Sequence, residues 1–250
     1  MAQRALPLPD ARLGRAVLTA GAAHEVSGVV LLLPDGGTDS LRRPSALSYA
    51  AQLPFARTLA RAGRGDGLAV HVVRHRNRGR NDGADPSSDA RWAADEAVRR
   101  YGDVPVCLAG HGTGGRAALR GAGHDAVNSV LAMAPWLPEG AEPEPVKHLA
   151  GRRVLIVHGT NDARVDPELS YRLAERAKKA NRDTCRFEVH SDGHALRQHR
   201  SEVMALASDF VRGSLFARPY ARPVADAFAA PPPLGLRMPL AAGFGRSLRH

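Results

Sequence analysis

A glycine-rich turn between an apolar run and an amphipathic segment constrains the fold of this chain more than any other feature. Residues 104–110 read Val-Pro-Val-Cys-Leu-Ala-Gly, and His-Gly-Thr-Gly-Gly follows at 111–115. The next residues, 116–120, are Arg-Ala-Ala-Leu-Arg, which suit a helix. An apolar run that ends in glycine and leads directly into a helix predicts a buried strand, a tight turn and a helix. This unit is typical of α/β sheets.

Two nucleotide-binding motifs resemble this turn, and both fail on neighbouring residues. The dinucleotide motif would use three glycines, Gly110, Gly112 and Gly115. It requires an acidic residue about 20 positions further on, at the end of the next strand. That strand ends in Met-Ala-Pro-Trp at 133–136, without a carboxylate. A P-loop would need lysine and a hydroxyl residue where Arg116 and Ala117 stand.

The third motif of this form is the nucleophile elbow, G-x-S-x-G, in which a strained turn exposes a nucleophile. Gly110 and Gly114 occupy its glycine positions, and His111 precedes the nucleophile position. Gly112 stands in that position and has no hydroxyl. The sequence therefore predicts an elbow whose nucleophile position is vacant.

The elbow motif expects an acid and then a histidine later in the chain, each after a strand. Both are present: Asp162 follows the apolar run 153–158, and His194 follows the run 185–190. Asp166 is a second candidate for the acid. It stands directly before Pro167 and a helical segment, so we interpret it as a helix N-cap and favour Asp162.

Apolar runs alternate with amphipathic segments along most of the chain, and this alternation predicts an α/β sheet with helices on both faces. The predicted strands are Ala16–Ala20, Gly28–Leu33, Leu68–Val73, Val104–Ala109, Ser129–Ala134, Arg153–His158 and Cys185–His190. Besides the helix after the elbow, the predicted helices are Tyr49–Ala62, Asp89–Tyr101, Pro167–Ala180 and Leu196–Val211.

From about Gly28 to Val211, the order of these motifs resembles the α/β-hydrolase family. Residues 34–37, Pro-Asp-Gly-Gly, stand where that family has its oxyanion loop. Residues 78–79, Arg-Gly, match a pair that is frequent in the family after the following strand. The resemblance implies the α/β-hydrolase fold: a mostly parallel, twisted sheet flanked by helices.

The resemblance also implies roles for individual residues. Asp162 would orient His194, and His194 would act as general base and then as general acid. The backbone N–H groups of Thr113 and of Gly36 or Gly37 would stabilise an oxyanion.

Glycine at position 112 leaves three interpretations open. The chain is a pseudo-hydrolase that binds a small ligand or a protein partner, or His194 and Asp162 activate water or abstract a substrate proton without a serine. The third possibility is a variant of a catalytic family. We expect an ester- or amide-type hydrolase of a small soluble substrate, with the inactive scaffold as the alternative, and the sequence does not decide whether the chain is an enzyme.

Two regions bear on the size of the substrate and on domain organisation. Residues 136–152, where many family members insert a lid, are too few for a sizeable lid domain. From residue 214 onward the chain is rich in proline and arginine. We therefore expect an α/β core at residues 1–213 and a basic, Pro-rich extension at 214–250 that wraps over the core.

Composition argues against several other functions. The net charge is +10, but the arginines are scattered and aromatic residues make up only 5%, so we do not expect a nucleic-acid surface. The histidines show no metal-site spacing, and we expect no metal and no cofactor. We find no membrane segment and no signal peptide, and therefore expect a cytoplasmic location. The dominance of arginine over lysine indicates a high-GC, bacterial genome.

Overall fold

The structure is a computed structural model that describes residues 11–17, 25–36, 46–75, 86–140 and 143–246. Within these residues, eight strands form one sheet in the order β1-β3-β2-β4-β5-β6-β7-β8. The strands are Arg12–Leu13 (β1), Gly28–Leu33 (β2), Leu68–Arg74 (β3), Val106–His111 (β4), Val127–Met133 (β5), Arg153–Gly159 (β6), Thr184–Val189 (β7) and Met238–Pro239 (β8). Only β1 pairs antiparallel to its neighbour. The expected mostly parallel sheet is confirmed.

Helices cover both faces of the sheet, as expected. They span Ala46–Ala62 (α1), Pro86–Tyr101 (α2), Thr113–Gly121 (α3), Pro167–Ala180 (α4), Arg200–Phe216 (α5) and Arg222–Ala229 (α6). Helices α1, α5 and α6 pack on one face, and α2, α3 and α4 pack on the other. Asp166 caps α4, because its side chain accepts the backbone N–H of Glu168 at 2.9 Å.

The central strands are mostly apolar because their alternate side chains enter two different cores. In β2, Val30 and Leu32 face the core formed with α1 and α5. Val29, Leu31 and Leu33 face the core formed with α2, α3 and α4. All six residues of β2 are buried.

Most predicted strand bounds shift by one or two residues in the structure, and two of the predicted strands, Ala16–Ala20 and Val104–Ala109, need a physical explanation. No strand spans Ala16–Ala20 in its described part: Val17 makes an isolated bridge to Val70, and residues 18–20 lie outside the described residues. Strand β4 begins at Val106 and not at Val104, since Pro105 has no N–H to donate to a ladder.

The C-terminal segment packs on the far edge of the sheet. Helix α5 crosses the expected boundary after residue 213 and ends at Phe216. The ring of Phe228 in α6 stacks on Phe210 of α5, with centroids 6.4 Å apart. Strand β8 then pairs with β7 through Met238 and Phe187.

Between β5 and β6 the described residues contain only a short 3-10 turn, Lys147–Leu149, and no lid. No helix in the described part of the chain has the length and apolar character needed to cross a membrane.

Candidate active site

The candidate site residues lie on loops at one edge of the sheet. Asp35 follows β2, Gly112 follows β4, Asp162 follows β6 and His194 follows β7. These strands are parallel to one another, so their carboxyl ends meet at the same edge, where ligands bind in α/β sheets. Residues distant in sequence therefore converge there.

The turn after β4 has the strained geometry that the elbow motif predicts. Gly112 is the single residue between β4 and α3, and its φ of +55° strongly favours glycine. The turn packs tightly, because a Cβ at Gly114 would collide with the carbonyl oxygen of Leu33. A residue at position 112 thus projects from the turn toward the loop that follows β2.

The nucleophile position is not empty, because the side chain of Asp35 fills it. A Cβ built on Gly112 would lie 2.6 Å from Cγ and 2.9 Å from Oδ2 of Asp35. Real Cβ atoms essentially never approach other atoms so closely. The carboxylate and any side chain at position 112 therefore exclude each other.

Asp35 is held there by the start of α3. Its Oδ1 accepts the backbone N–H of Thr113 at 2.9 Å and the Thr113 hydroxyl at 3.0 Å. The N–H of Gly36 donates to Thr113 Oγ1 at 2.6 Å. The backbone donors expected to stabilise an oxyanion thus bind the protein's own groups, and Gly37 lies outside the described residues.

His194 and Asp162 form a hydrogen-bonded pair at this edge. The Nδ1 of His194 donates to Oδ2 of Asp162 at 2.8 Å. The other oxygen, Oδ1, accepts the backbone N–H groups of Arg164 at 2.8 Å and Val165 at 3.1 Å. Because Nδ1 carries the proton, the Nε2 of a neutral His194 ring is unprotonated, and it lies 4.0 Å from Asp35 Oδ2.

A second histidine binds the same carboxylate from the buried side. His158 Nε2 donates to Asp162 Oδ2 at 3.0 Å. The Nδ1 of His158 lies 2.8 Å from the Ser170 hydroxyl, which also contacts the carbonyl of Pro167 at 2.9 Å. His158 therefore holds the acid of the pair from the core side of the site.

The charges of these groups follow from burial and hydrogen bonding. Burial alone would raise the pKa of Asp162, but hydrogen bonds from His158, the Arg164 N–H and His194 outweigh burial and hold that pKa well below its usual range. Burial lowers the pKa of His158. Asp162 is therefore ionised, and its carboxylate lies between the imidazole rings of His158 and His194.

Behind the pair, the guanidinium of Arg186 extends the network into the core. Its Nε donates to Ser170 Oγ at 3.0 Å, and its Nη1 donates to Glu188 at 2.8 Å and to the carbonyl of Leu236 at 3.0 Å. Arg186 is fully buried in β7, and the C-terminal segment supplies the Leu236 carbonyl. The extension thus contributes to the support of the candidate site.

Replacing this guanidinium should be costly for the fold. We expect Arg186→Met to lower the free energy of unfolding by about 3 kcal/mol, because it leaves buried acceptors unpaired. Arg182→Met is the matched control, since the Arg182 side chain is 96% exposed. Urea unfolding of both variants measures the difference, and equal stabilities would contradict the structural role of Arg186.

His111 lies beside the catalytic candidate His194. Its Nε2 donates to the backbone carbonyl of His194 at 2.7 Å, and the two rings meet edge to face with centroids 4.8 Å apart. Burial lowers the pKa of His111. Asp35, His111 and His194 each offer one ligand atom within 4.8 Å of the others, a grouping that linear spacing could not indicate.

Asp192 is close to His194 in sequence, but its carboxylate binds the backbone of its own loop. Its Oδ1 accepts the N–H groups of Gly193 and Arg197, and Oδ2 accepts that of His199. It orders the loop that presents His194. The Arg-Gly pair at residues 78–79 lies outside the described residues.

Solved structures with the same architecture are numerous. An esterase from Pyrococcus furiosus, Pf2001, is 14% identical with a TM-score of 0.61, over 82% of this chain and 92% of that one. XC6422 from Xanthomonas campestris, described as an a/b serine hydrolase without lid, is 18% identical with a TM-score of 0.60, over 85% and 93% of the chains. TT1662 from Thermus thermophilus is 20% identical with a TM-score of 0.56, over 83% of this chain and all of that chain.

No protein-family model and no curated protein sequence matches the chain. Identities of 14–20% to the solved structures show a shared fold and carry no information about substrate.

Proposed function

From the α/β-hydrolase fold of this chain, we propose that it is a hydrolase of small soluble esters or amides in which His194 and Asp162 activate water. The hydrogen bond of 2.8 Å between His194 Nδ1 and Asp162 carries this proposal. It sets the tautomer in which His194 Nε2 can accept a proton at the edge where ligands bind.

The geometry supports water, and not a side chain, as the attacking group. A water molecule that makes two ordinary hydrogen bonds of about 2.8 Å can bridge the 4.0 Å between His194 Nε2 and Asp35 Oδ2. His194 takes one proton from this water while the oxygen adds to the substrate carbonyl carbon. The bond to the leaving group then breaks, and His194 returns the proton to that group.

The occupied oxyanion donors limit the rate of such a reaction. The Thr113 N–H binds Asp35, and the Gly36 N–H binds Thr113 Oγ1. Loss of one such donor typically costs about 10²- to 10³-fold in rate. We therefore expect slow turnover compared with an enzyme that has a serine nucleophile.

The same contacts favour a second candidate, a non-catalytic scaffold that binds a small ligand or a protein. The Asp35 carboxylate fills the position of the nucleophile and takes an oxyanion donor for itself. A scaffold that has lost catalysis has no need to keep either position open.

Hydrolysis of a panel of short-chain nitrophenyl esters distinguishes the two candidates. We expect turnover by the purified protein that His194→Ala reduces to background, since the base is then missing. His190→Ala is the matched control, because His190 is exposed and directly follows β7, and it should retain the wild-type rate. Equal rates for wild type and His194→Ala would overturn the hydrolase proposal for this substrate class and favour the scaffold.

A further inference from the structure

We propose that Asp35, His111 and His194 together bind one divalent transition-metal ion, with Zn²⁺ as the ion that fits the ligands. This inference goes beyond the proposed function and does not depend on it. Two imidazoles and one carboxylate are a common ligand set for zinc, and they leave a fourth position for water.

The three side chains are already close to the required geometry. One ligand atom from each lies within 4.8 Å of the others, and His194 Nε2 is 4.0 Å from Asp35 Oδ2. Tetrahedral zinc places its ligand atoms roughly 3.3 Å apart. Each side chain therefore needs to move by only about 1 Å or less to close around an ion.

The contacts around these side chains resemble the outer shell of metal sites. Metal-binding histidines donate their second ring N–H to a carboxylate or a backbone carbonyl. His194 donates from Nδ1 to Asp162, and His111 donates from Nε2 to the carbonyl of His194. Thr113 holds Oδ1 of Asp35 and leaves Oδ2 directed at His194.

Electrostatics also favours a cation at this point. The unprotonated Nε2 of His194 and the Asp35 carboxylate face each other at 4.0 Å, so an electron pair points toward a negative charge. A proton or a metal ion between them turns this repulsion into attraction. His111 supplies a further neutral donor on the same side.

Glycine at position 112 is a requirement of this arrangement. A serine there would place its Cβ 2.6 Å from Asp35 Cγ and would displace the carboxylate from the site. The residue that removes the expected nucleophile is thus the residue that admits the third ligand. A bound ion would occupy His194 Nε2, so we expect Zn²⁺ to inhibit hydrolysis that uses His194 as base.

Calorimetric titration of the full chain with Zn²⁺ after treatment with a chelator tests the site directly. We expect Asp35→Asn to weaken binding at least about 100-fold, because the amide keeps an oxygen for Thr113 but loses the oxygen that faces His194. Asp162→Asn changes a hydrogen-bond partner of His194 and none of the three proposed ligands, and it should weaken binding by about 10- to 100-fold. The control is His190→Ala, which removes an exposed histidine that is not one of the three ligands. This variant should bind Zn²⁺ as tightly as wild type does.

Thermal unfolding of each metal-free variant separates loss of the site from loss of the fold. Zn²⁺ affinity that is equal in wild type and in a folded Asp35→Asn variant would overturn the proposal, as would the absence of binding to wild type. Both readouts are made without substrate, so they are independent of the ester assay. Hydrolysis by the chelator-treated chain without zinc binding would reject the metal site and keep the proposed function.

Discussion

Gly112→Ser combined with Asp35→Ala is expected to raise the hydrolysis of short-chain nitrophenyl esters by at least about 10³-fold over wild type. The double variant places a hydroxyl where the Asp35 carboxylate lies, near His194 Nε2, and it releases the Thr113 N–H. The rebuilt site would then contain a nucleophile, a base oriented by Asp162 and an oxyanion donor. Steady-state kinetics of the purified variants measure the gain.

The single variants are the controls for this gain. Gly112→Ser alone should lower the free energy of unfolding by roughly 2 kcal/mol, since it combines a positive φ with a collision against Asp35. Asp35→Ala alone should gain no nucleophile. A Gly112→Ser variant as stable as wild type, or a double variant no more active than Asp35→Ala, would contradict the placement of Asp35.

Asp162→Asn should reduce turnover by roughly 10²- to 10⁴-fold. The carboxylate uses both oxygens as acceptors, Oδ2 for His158 and His194 and Oδ1 for the backbone N–H groups of Arg164 and Val165. An amide has only one acceptor oxygen, so one of these two sets of donors would face its NH2 group, and the orientation of His194 is no longer secured. Initial rates of ester hydrolysis measure this loss. The control is Asp103→Asn, which changes the charge by the same amount at an exposed position and should keep the wild-type rate.

The same substitution should change how stability depends on pH. The pKa of Asp162 is lower in the folded protein than in the unfolded chain, so its contribution to stability is present above the unfolded pKa of about 4 and is lost as the pH falls through the folded pKa. The stability difference between wild type and Asp162→Asn should therefore be constant above about pH 5 and shrink below about pH 4. Urea unfolding across this range checks the trend, and a difference that grows as the pH falls would contradict it.

The sheet could be predicted because its central strands contribute side chains to two cores and are therefore mostly apolar. Gly28–Leu33 was predicted with its observed bounds, and the helix after Asp166 was predicted as it stands. The C-terminal elements were missed for a physical reason. Strand β8 has two residues, one of them Pro239, and α6 begins with Arg222 and Pro223, so neither has a periodic pattern long enough to detect.

The candidate site was only partly accessible from the sequence. The order of elbow, acid and histidine located Gly112, Asp162 and His194, since each follows an apolar run. The sequence analysis placed Asp35 only within the loop after β2, because a sequence does not show in which direction a loop side chain points. A usable signal was present: glycine in the elbow leaves a space beside a carboxylate at the end of the adjacent strand.

Arg186 and His158 were missed because their partners come from distant segments. An arginine in a strand is usually exposed, but Arg186 is buried and donates to Glu188 and to the Leu236 carbonyl. His158 meets Ser170 only when α4 packs against β6. Contacts of this kind depend on the assembled fold and produce no recognisable spacing of residues in the sequence.

The first turnover of a short-chain nitrophenyl ester, followed by stopped flow, tests most directly whether water is the nucleophile at His194. If it is, nitrophenolate is released linearly from the start, at a rate that His194→Ala abolishes, because no acyl-enzyme forms. A burst equal to the enzyme concentration would contradict this mechanism, since it would mean that a side chain of the protein attacks the ester.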